Sequence, residues 1–113
     1  MKITHSNTDI ALGSNIKLAN TFWSRLKGLM FQDSFGEHDG IYFTWSKSVH
    51  NCFVKFPIDV IFISKDYKIV KIIRSFKPWR FTRIYLTASH VIELPENTVT
   101  DSFNVGDQLE VVD

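Results

Sequence analysis

The segment at residues 58–63, with the sequence IDVIFI, sets the strictest limit on how this chain folds. Successive residues of a strand point to opposite faces of the sheet, and here both faces are apolar apart from Asp59. A strand of this kind must be covered on both sides. Because a buried carboxylate without partners costs several kcal/mol, we expect Asp59 to have hydrogen-bond donors or a cation beside it.

Strand patterns also cover much of the remaining chain. Apolar and β-branched residues recur in short segments separated by turns, at residues 1–6, 15–20, 40–44, 48–56, 68–76, 90–95 and 104–112. Consecutive strands joined by short turns favour antiparallel pairing. We therefore predict a compact antiparallel, barrel-like sheet of about seven or eight short strands.

One segment has the period of a helix instead. Phe22, Leu26 and Leu29 are spaced three and four apart, and Asn20 or Thr21 can cap the start. This predicts a short helix near residues 21–29, packed against the sheet. The whole chain, residues 1–113, is predicted to be a single, mainly β (α+β) domain.

Composition and charge exclude several classes of protein. The formal net charge is +1, so the protein as a whole has no strong positive field that would attract nucleic acid or a membrane surface. The single cysteine, Cys52, excludes an internal disulfide and a four-cysteine zinc site. The region after Met1 is polar and lacks the apolar stretch of an export signal, and no apolar run is long enough to span a membrane. We expect a cytoplasmic protein without a membrane partner.

Four pieces of the sequence resemble a known family. They are FWSRLKGLM, HNCFVKFPIDVIFISKDYKIVKI, KPWR, and VIELP followed by VGDQL. In order and spacing they are similar to the small prokaryotic domain called domain of unknown function 192. The resemblance implies a compact, mostly β domain with a short helix, and it implies no established activity.

The chain departs from this family pattern at turns and packing positions. Val54 replaces a common Met, Asp66–Tyr67 replaces an Asp–Gly turn, and Asn97 replaces a Gly. The polar positions that match the pattern are Arg25, Asp59, Arg80 and Glu93. The resemblance implies that a site shared by the family would be drawn from these.

Arg25 is the predicted partner of Asp59. It lies on the helix that must dock on the sheet, and a planar guanidinium suits a carboxylate. We interpret Arg25, Asp59 and Glu93 as a structural ion-pair network that clamps the helix to the sheet. The alternative is that Asp59 is a general base held by an arginine.

The charge of the second half of the chain is uneven. Residues 67–92 contain no acidic residue, and their six cations are Lys68, Lys71, Arg74, Lys77, Arg80 and Arg83. Aromatic residues interleave with these cations in RSFKPWRFTRIY. This pattern is typical of sites for anions, and it also fits the solvated edge of a hairpin with aromatics packed at the barrel end.

Within that segment, KPWRF is the predicted binding element. Pro78 keeps the chain extended, so that Trp79 and Arg80 lie on a loop. With His50 and Trp45, they are predicted to line one mouth of the barrel. We interpret the protein as a non-enzymatic binding module for an anionic small molecule or an acidic protein segment.

Two alternative functions remain open at this point. One is a hydrolase-like enzyme that uses His50, Cys52 and Asp59, or a carboxylate pair of Asp59 and Glu93. The other is a barrel that binds single-stranded nucleic acid. The histidines and acids show no metal-ligand spacing and there is no glycine-rich phosphate loop, so we expect neither a metal nor a cofactor.

Overall fold

The computed structural model describes residues 1–30, 32–50 and 54–112. In this part of the chain there are eight strands and one helix. In chain order they are β1 (Lys2–His5), β2 (Ala11–Gly13), β3 (Ile16–Ala19), α1 (Phe22–Lys27), β4 (Gly40–Phe43), β5 (Ile58–Ile63), β6 (Ile69–Phe76), β7 (His90–Pro95) and β8 (Leu109–Val112). The prediction of a mainly β domain with one short helix is confirmed.

The strands form two sheets and do not close into one barrel. Three strands pair in the order β2-β1-β8, and five pair in the order β3-β4-β7-β5-β6. The pairing of β3 with β4 is parallel, and α1 lies on the crossover between them. The remaining pairings of these strands are antiparallel, as predicted.

The five-stranded sheet is the middle layer of the domain. On one face, Ile61, Ile92 and Leu94 pack with Ile3 and Leu109 of the three-stranded sheet. The other face carries a second core, which includes Val60, Phe62, Val91, Phe43 and, just after the helix, Leu29. All six residues of β5 are buried, as the apolar pattern on both of its faces predicted. Two separate layers cover this strand, so a single barrel is not needed to bury it.

The helix begins at a local sequence signal. Thr21 is the N-cap: its Oγ1 accepts a hydrogen bond from Ser24 N at 3.1 Å, and Ser24 Oγ accepts one from Thr21 N at 3.0 Å. This reciprocal pair is a capping box. The helix ends at Gly28, which has φ 45°. Helix α1 carries Arg25, whose Nη1 donates to the carbonyl of Thr44 at 3.0 Å.

Asp59 lies opposite a bulge in β6 and is not paired with Arg25. Ile58 pairs with Phe76 but Val60 pairs with Ile73, so two residues of β6 face one residue of β5. The spare N–H of Ser75, which has φ 55°, donates to Asp59 Oδ1 at 3.0 Å.

The other oxygen of Asp59 has a backbone donor as well. Val99 N donates to Asp59 Oδ2 at 2.9 Å and fixes the loop after β7. The predicted ion pair with Arg25 is therefore wrong, and neither ion pair among the described residues involves Asp59 or Arg25. The carboxylate is satisfied by backbone N–H groups that the bulge and the loop leave without strand partners.

Arg74, one of the six cations in the basic segment, holds the same loop. Its guanidinium donates to the carbonyls of Val99, Thr100 and Phe103 at 2.9, 3.0 and 3.2 Å. Arg74 therefore has a structural role, because its guanidinium fixes the position of this loop. The predicted strand over 48–56 is represented in the described residues by an isolated bridge between His50 and Phe81.

Candidate functional site

Glu93 is a buried acid on the helix side of the five-stranded sheet. It lies on β7 opposite Ile41 of β4 and Val60 of β5, both members of the second core. The residue is only 5% exposed. Within the described part of the chain, its carboxyl group has no hydrogen bond or ion pair. Burial alone raises the pKa of Glu93 to about 8, so the carboxyl group is mostly protonated at neutral pH.

Glu93 lines a small, partly open pocket, which we call the Glu93 cavity. Its volume is about 70 Å³, which is room for a few water-sized groups. Helix α1 and the residues after it form one wall, and the segment after β4 forms another. The lining residues of the described chain are Arg25, Leu26, Lys27, Gly28, Leu29, Met30, Phe43, Ser46, Ser48, Val49, His50, Val54 and Glu93.

The charges around this cavity favour an anion. Arg25 and Lys27 are cations, and Glu93 is the acid among the lining residues that the structure describes. Because the pKa of Glu93 is raised to about 8, this acid contributes little negative charge at pH 7. One N–H of the Arg25 guanidinium is bonded to Thr44, which orients the group and leaves further donors on its fork.

The structure brings together three of the residues singled out from the sequence. Arg25, His50 and Glu93 all line the Glu93 cavity. Asp59 does not, because it pairs with Leu94 and therefore faces the opposite side of the sheet.

The acid-dependent sets predicted for a hydrolase are consequently not assembled. The combination of His50 with Asp59 and the carboxylate pair of Asp59 with Glu93 are both wrong, since the sheet separates their members. Cys52, the predicted nucleophile of the first set, lies outside the described residues.

The remaining predicted binding residues are distributed over two other places. Trp45 lines a separate cleft on the other face of the sheet. Trp79, with φ 63°, and Arg80 lie exposed in the loop between β6 and β7. The structure thus divides the predicted mouth among the Glu93 cavity, the second cleft and this loop.

The loop that carries Trp79 and Arg80 is fastened to a wall of the Glu93 cavity. Thr82 N donates to the carbonyl of Val49 at 2.9 Å, and Tyr85 N donates to that of Lys47 at 2.8 Å. The ammonium group of Lys47 in turn donates to the carbonyls of Leu86 and Ala88. The basic segment and the cavity therefore share the 47–49 segment, and the ring of His50 in the cavity lining lies 6.3 Å from the ring of Phe81 in the loop.

Sequence reasoning assigned Glu93 to a structural ion-pair network and missed its lack of a partner. The available signal was the strand HVIELP, in which an acid interrupts an apolar pattern as Asp59 does in β5. Pattern alone does not distinguish a satisfied buried acid from an unsatisfied one, because the partners come from distant segments. The cavity-lining Ser46 and Ser48 were also missed, and they carry no sequence signal of their own.

Two features are absent from the described residues. No three histidine, cysteine or acidic side chains in that part of the chain are grouped so that they could hold a metal ion. No helix among these residues is long and apolar enough to cross a membrane.

The sequence matches a family of uncharacterised proteins. The family profile, DUF192 with the description "Uncharacterized ACR", matches residues 2–111. A UPF0127 protein of Pyrococcus furiosus is 31% identical over 102 residues, which cover 84% of this chain and 84% of that protein. A UPF0127 protein of Thermococcus sibiricus is 30% identical over 102 residues, or 84% of this chain. The match spans 64% of the length of the Thermococcus protein.

Two solved structures have a similar fold. A protein of unknown function from Novosphingobium aromaticivorans superposes with a TM-score of 0.83 at 21% identity, over 98% of this chain and 84% of that one. A Sinorhizobium meliloti protein described as a candidate transcription regulator gives a TM-score of 0.74 at 23% identity, over 96% and 89% of the two chains. At these identities the likeness concerns the fold alone.

Proposed function

This chain belongs to the DUF192 family of uncharacterised domains, and from its own geometry we propose that it is a binding domain that holds a small carboxylate-bearing ligand in the Glu93 cavity. The observation that carries this proposal is the burial of Glu93: the residue is 5% exposed, and its carboxyl group has no hydrogen bond or ion pair in the described part of the chain. Arg25 and His50 line the same space.

A buried polar group without a partner is costly to keep. Leaving one unsatisfied destabilises a fold by about 1–3 kcal/mol, and buried polar groups in proteins are therefore almost always hydrogen-bonded. In the sheet, Glu93 lies between two apolar neighbours, Ile41 of β4 and Val60 of β5, and neither side chain can pair with its carboxyl group. An oxygen-bearing ligand in the cavity would supply the missing partner.

The chemistry of the lining supports a carboxylate as that ligand. A protonated Glu93 donates a hydrogen bond, and a carboxylate oxygen is a strong acceptor. The Arg25 guanidinium adds positive charge and parallel N–H donors, which match the two oxygens of a carboxylate. A volume of about 70 Å³ limits the part of the ligand inside the cavity to a few non-hydrogen atoms.

Binding of a carboxylate requires only the donors and the positive charge that line the Glu93 cavity. Acyl transfer by covalent catalysis would need a nucleophile, a base within hydrogen-bond reach and a group that orients the base. Asp59, the acid predicted for such a set, is bound to two backbone N–H groups on the opposite face. Binding without catalysis is therefore the function that the geometry supports best.

The test uses acetate as the probe and acetamide as its neutral isostere. Each is titrated into the protein at pH 6.5, and the side-chain NMR signals of Arg25 and Glu93 are followed. We expect saturable shifts with acetate and much smaller ones with acetamide. Arg25→Gln should abolish the acetate response, whereas Arg80→Gln, which removes the same charge outside the cavity, should preserve it. Equal responses to the two probes, or none, would refute the proposal.

A second candidate function rests on the loop between β6 and β7. Trp79, Phe81, Ile84 and Leu86 in this loop are 60%, 74%, 64% and 79% exposed. Together with the exposed cations Lys77, Arg80 and Arg83, they form what we call the basic-aromatic surface. Contiguous exposed apolar side chains mark interaction sites, and the cations favour an acidic protein segment as the partner.

This second function is tested with a labelled peptide that alternates Glu and Leu. Fluorescence anisotropy should show binding that Trp79→Ala combined with Arg80→Ala weakens at least tenfold, while the acetate response of the Glu93 cavity stays unchanged. A single-stranded oligonucleotide is titrated in parallel at two salt concentrations. Tighter binding of the oligonucleotide, with a steep loss at the higher salt concentration, would contradict an acidic protein partner.

A further inference from the structure

A second cleft lies on the other face of the five-stranded sheet, and the function proposed above makes no use of it. Its volume is about 440 Å³, within the range of small-molecule sites. Tyr42 of β4, His90 at the start of β7, Trp45 after β4 and Tyr67 in the turn between β5 and β6 contribute four rings to its lining. We call it the aromatic cleft. Its other lining residues are Met1, Leu18, Thr44, Lys65 and Val111.

The rings of the aromatic cleft are arranged around His90. The ring of Trp45 lies 4.9 Å from that of His90, the ring of Tyr42 lies 5.4 Å away, and that of Tyr67 is stacked at 6.3 Å. Trp45 N donates to His90 Nδ1 at 3.1 Å, which leaves the ring proton on Nε2. Burial lowers the pKa of His90, so this ring is neutral and acts as part of an uncharged aromatic surface.

Two of these rings are carried by backbone in the left-handed region. Trp45 has φ 53° and Tyr67 has φ 65°, a conformation that glycine adopts readily and large side chains rarely do. The turn that holds Tyr67 is fixed by three backbone hydrogen bonds: Ser64 N to Lys68 O, Tyr67 N to Ser64 O and Leu109 N to Tyr67 O. Bulky residues kept in strained backbone cluster at ligand sites. The strain here places two large aromatic rings at one cleft.

The charge of the cleft determines what kind of ligand it suits. Lys65 is a cation, and there is no acidic side chain among the described residues of the lining. Cages of aromatic rings that bind quaternary ammonium ions use the attraction of the rings for a cation, and Lys65 opposes such a ligand here. A planar ring that carries an anionic group matches both the rings and the lysine.

We propose that the aromatic cleft binds a planar heteroaromatic ring carrying a phosphate, a ligand of the size of a nucleoside monophosphate. The base stacks on the exposed ring of Trp45, and the ammonium group of Lys65 holds the phosphate. This site is independent of the Glu93 cavity, since it lies on the opposite face of the sheet, and either site can fail without the other.

The first measurement compares the affinity of the whole ligand with the affinities of its base and phosphate parts. Adenosine 5′-monophosphate, adenosine and ribose 5-phosphate are titrated separately by calorimetry. We expect the monophosphate to bind at least tenfold more tightly than either part, because only it engages the rings and the lysine together. A deoxyadenosine pentanucleotide, titrated alongside, tells whether a free nucleotide or a single strand supplies the same chemistry better. Failure of the monophosphate and the pentanucleotide to bind, or equal binding of all the parts, would overturn the proposal.

The second measurement separates a binding role of the rings from a structural one. Trp45→Gly and Tyr67→Gly remove the rings and relieve the strained backbone. We expect both variants to keep or raise the melting temperature and to lose at least tenfold in affinity for the monophosphate. Lys65→Gln should bring the affinity for the monophosphate down to that for adenosine. The control is Lys17→Gln, which removes an exposed lysine outside the cleft and should leave the affinity unchanged. A glycine variant that melts much lower, or that binds as the wild type does, would contradict the assignment.

Discussion

Asp59 and Glu93 lie on neighbouring strands and face opposite sides of the same sheet. Asp59 pairs with Leu94 in the register of β5 and β7, so Glu93, the residue before Leu94, points the other way. Both acids are almost fully buried. Two backbone N–H groups satisfy Asp59, whereas Glu93 opens into a cavity without a hydrogen bond from the described chain. One acid therefore stabilises the fold and the other is the candidate for binding.

The first prediction concerns the hydrogen bonds of Asp59. Asp59→Asn should destabilise the protein by about 2–4 kcal/mol, because an amide offers one acceptor oxygen where two backbone donors converge. Urea unfolding monitored by circular dichroism measures this change. Combination with Arg25→Ala should be additive to within about 0.5 kcal/mol, since the two side chains lie on opposite faces. A coupling energy of several kcal/mol would instead show that Asp59 and Arg25 interact directly, which would contradict the structure.

The second prediction is a pH dependence of stability caused by Glu93. Its pKa is raised from 4.5 to about 8 in the folded state, so between these values the folded protein holds a proton that the unfolded chain releases. Stability should therefore fall as the pH rises through this window, by an amount on the order of 3–5 kcal/mol for this group. Glu93→Gln should remove that slope.

The measurement for the second prediction is a set of urea unfolding curves for wild type and Glu93→Gln between pH 5 and 9. As the pH increases, the unfolding free energy of the wild type should fall relative to that of the glutamine variant. Parallel pH profiles for the two proteins would mean that Glu93 is not a buried neutral acid.

The third prediction links the protonation of Glu93 to ligand binding. Above a pH of about 8, Glu93 is ionised and repels a bound carboxylate, so acetate affinity should fall about tenfold for each further pH unit. Glu93→Gln keeps a hydrogen-bond donor and cannot ionise, and its acetate affinity should vary little between pH 6 and 9. Titrations followed by NMR at a series of pH values give both curves. A wild-type affinity that is constant across this range would argue against contact between the ligand and Glu93.

The fourth prediction concerns the helix that holds Arg25. Thr21→Ala removes the side-chain acceptor for Ser24 N and should cost about 1 kcal/mol. Thr87→Ala is the matched control, because Thr87 is exposed in a loop and should change stability by less than about 0.5 kcal/mol. Equal effects of the two substitutions in urea unfolding would show that the capping box contributes nothing.

Local sequence patterns were sufficient for several parts of the fold. The burial of β5 on both faces followed from the apolar residues at both parities of IDVIFI, and Thr21 was recognised as a candidate cap from its position before the helical stripe. Such features depend on neighbours a few residues away, which a sequence displays directly. The need of Asp59 for donors was foreseen for the same reason.

The identity of the partners depended on segments that are far apart in the chain. Asp59 binds Val99, 40 residues further on, through a loop position that has no recognisable motif. The β6 bulge that presents Ser75 and the division of the strands between two sheets arise from how whole layers pack. Which face a buried acid occupies, and whether a donor lies beside it, is therefore a property of the packed layers. Glu93 resembles Asp59 in the sequence and differs from it only in three dimensions.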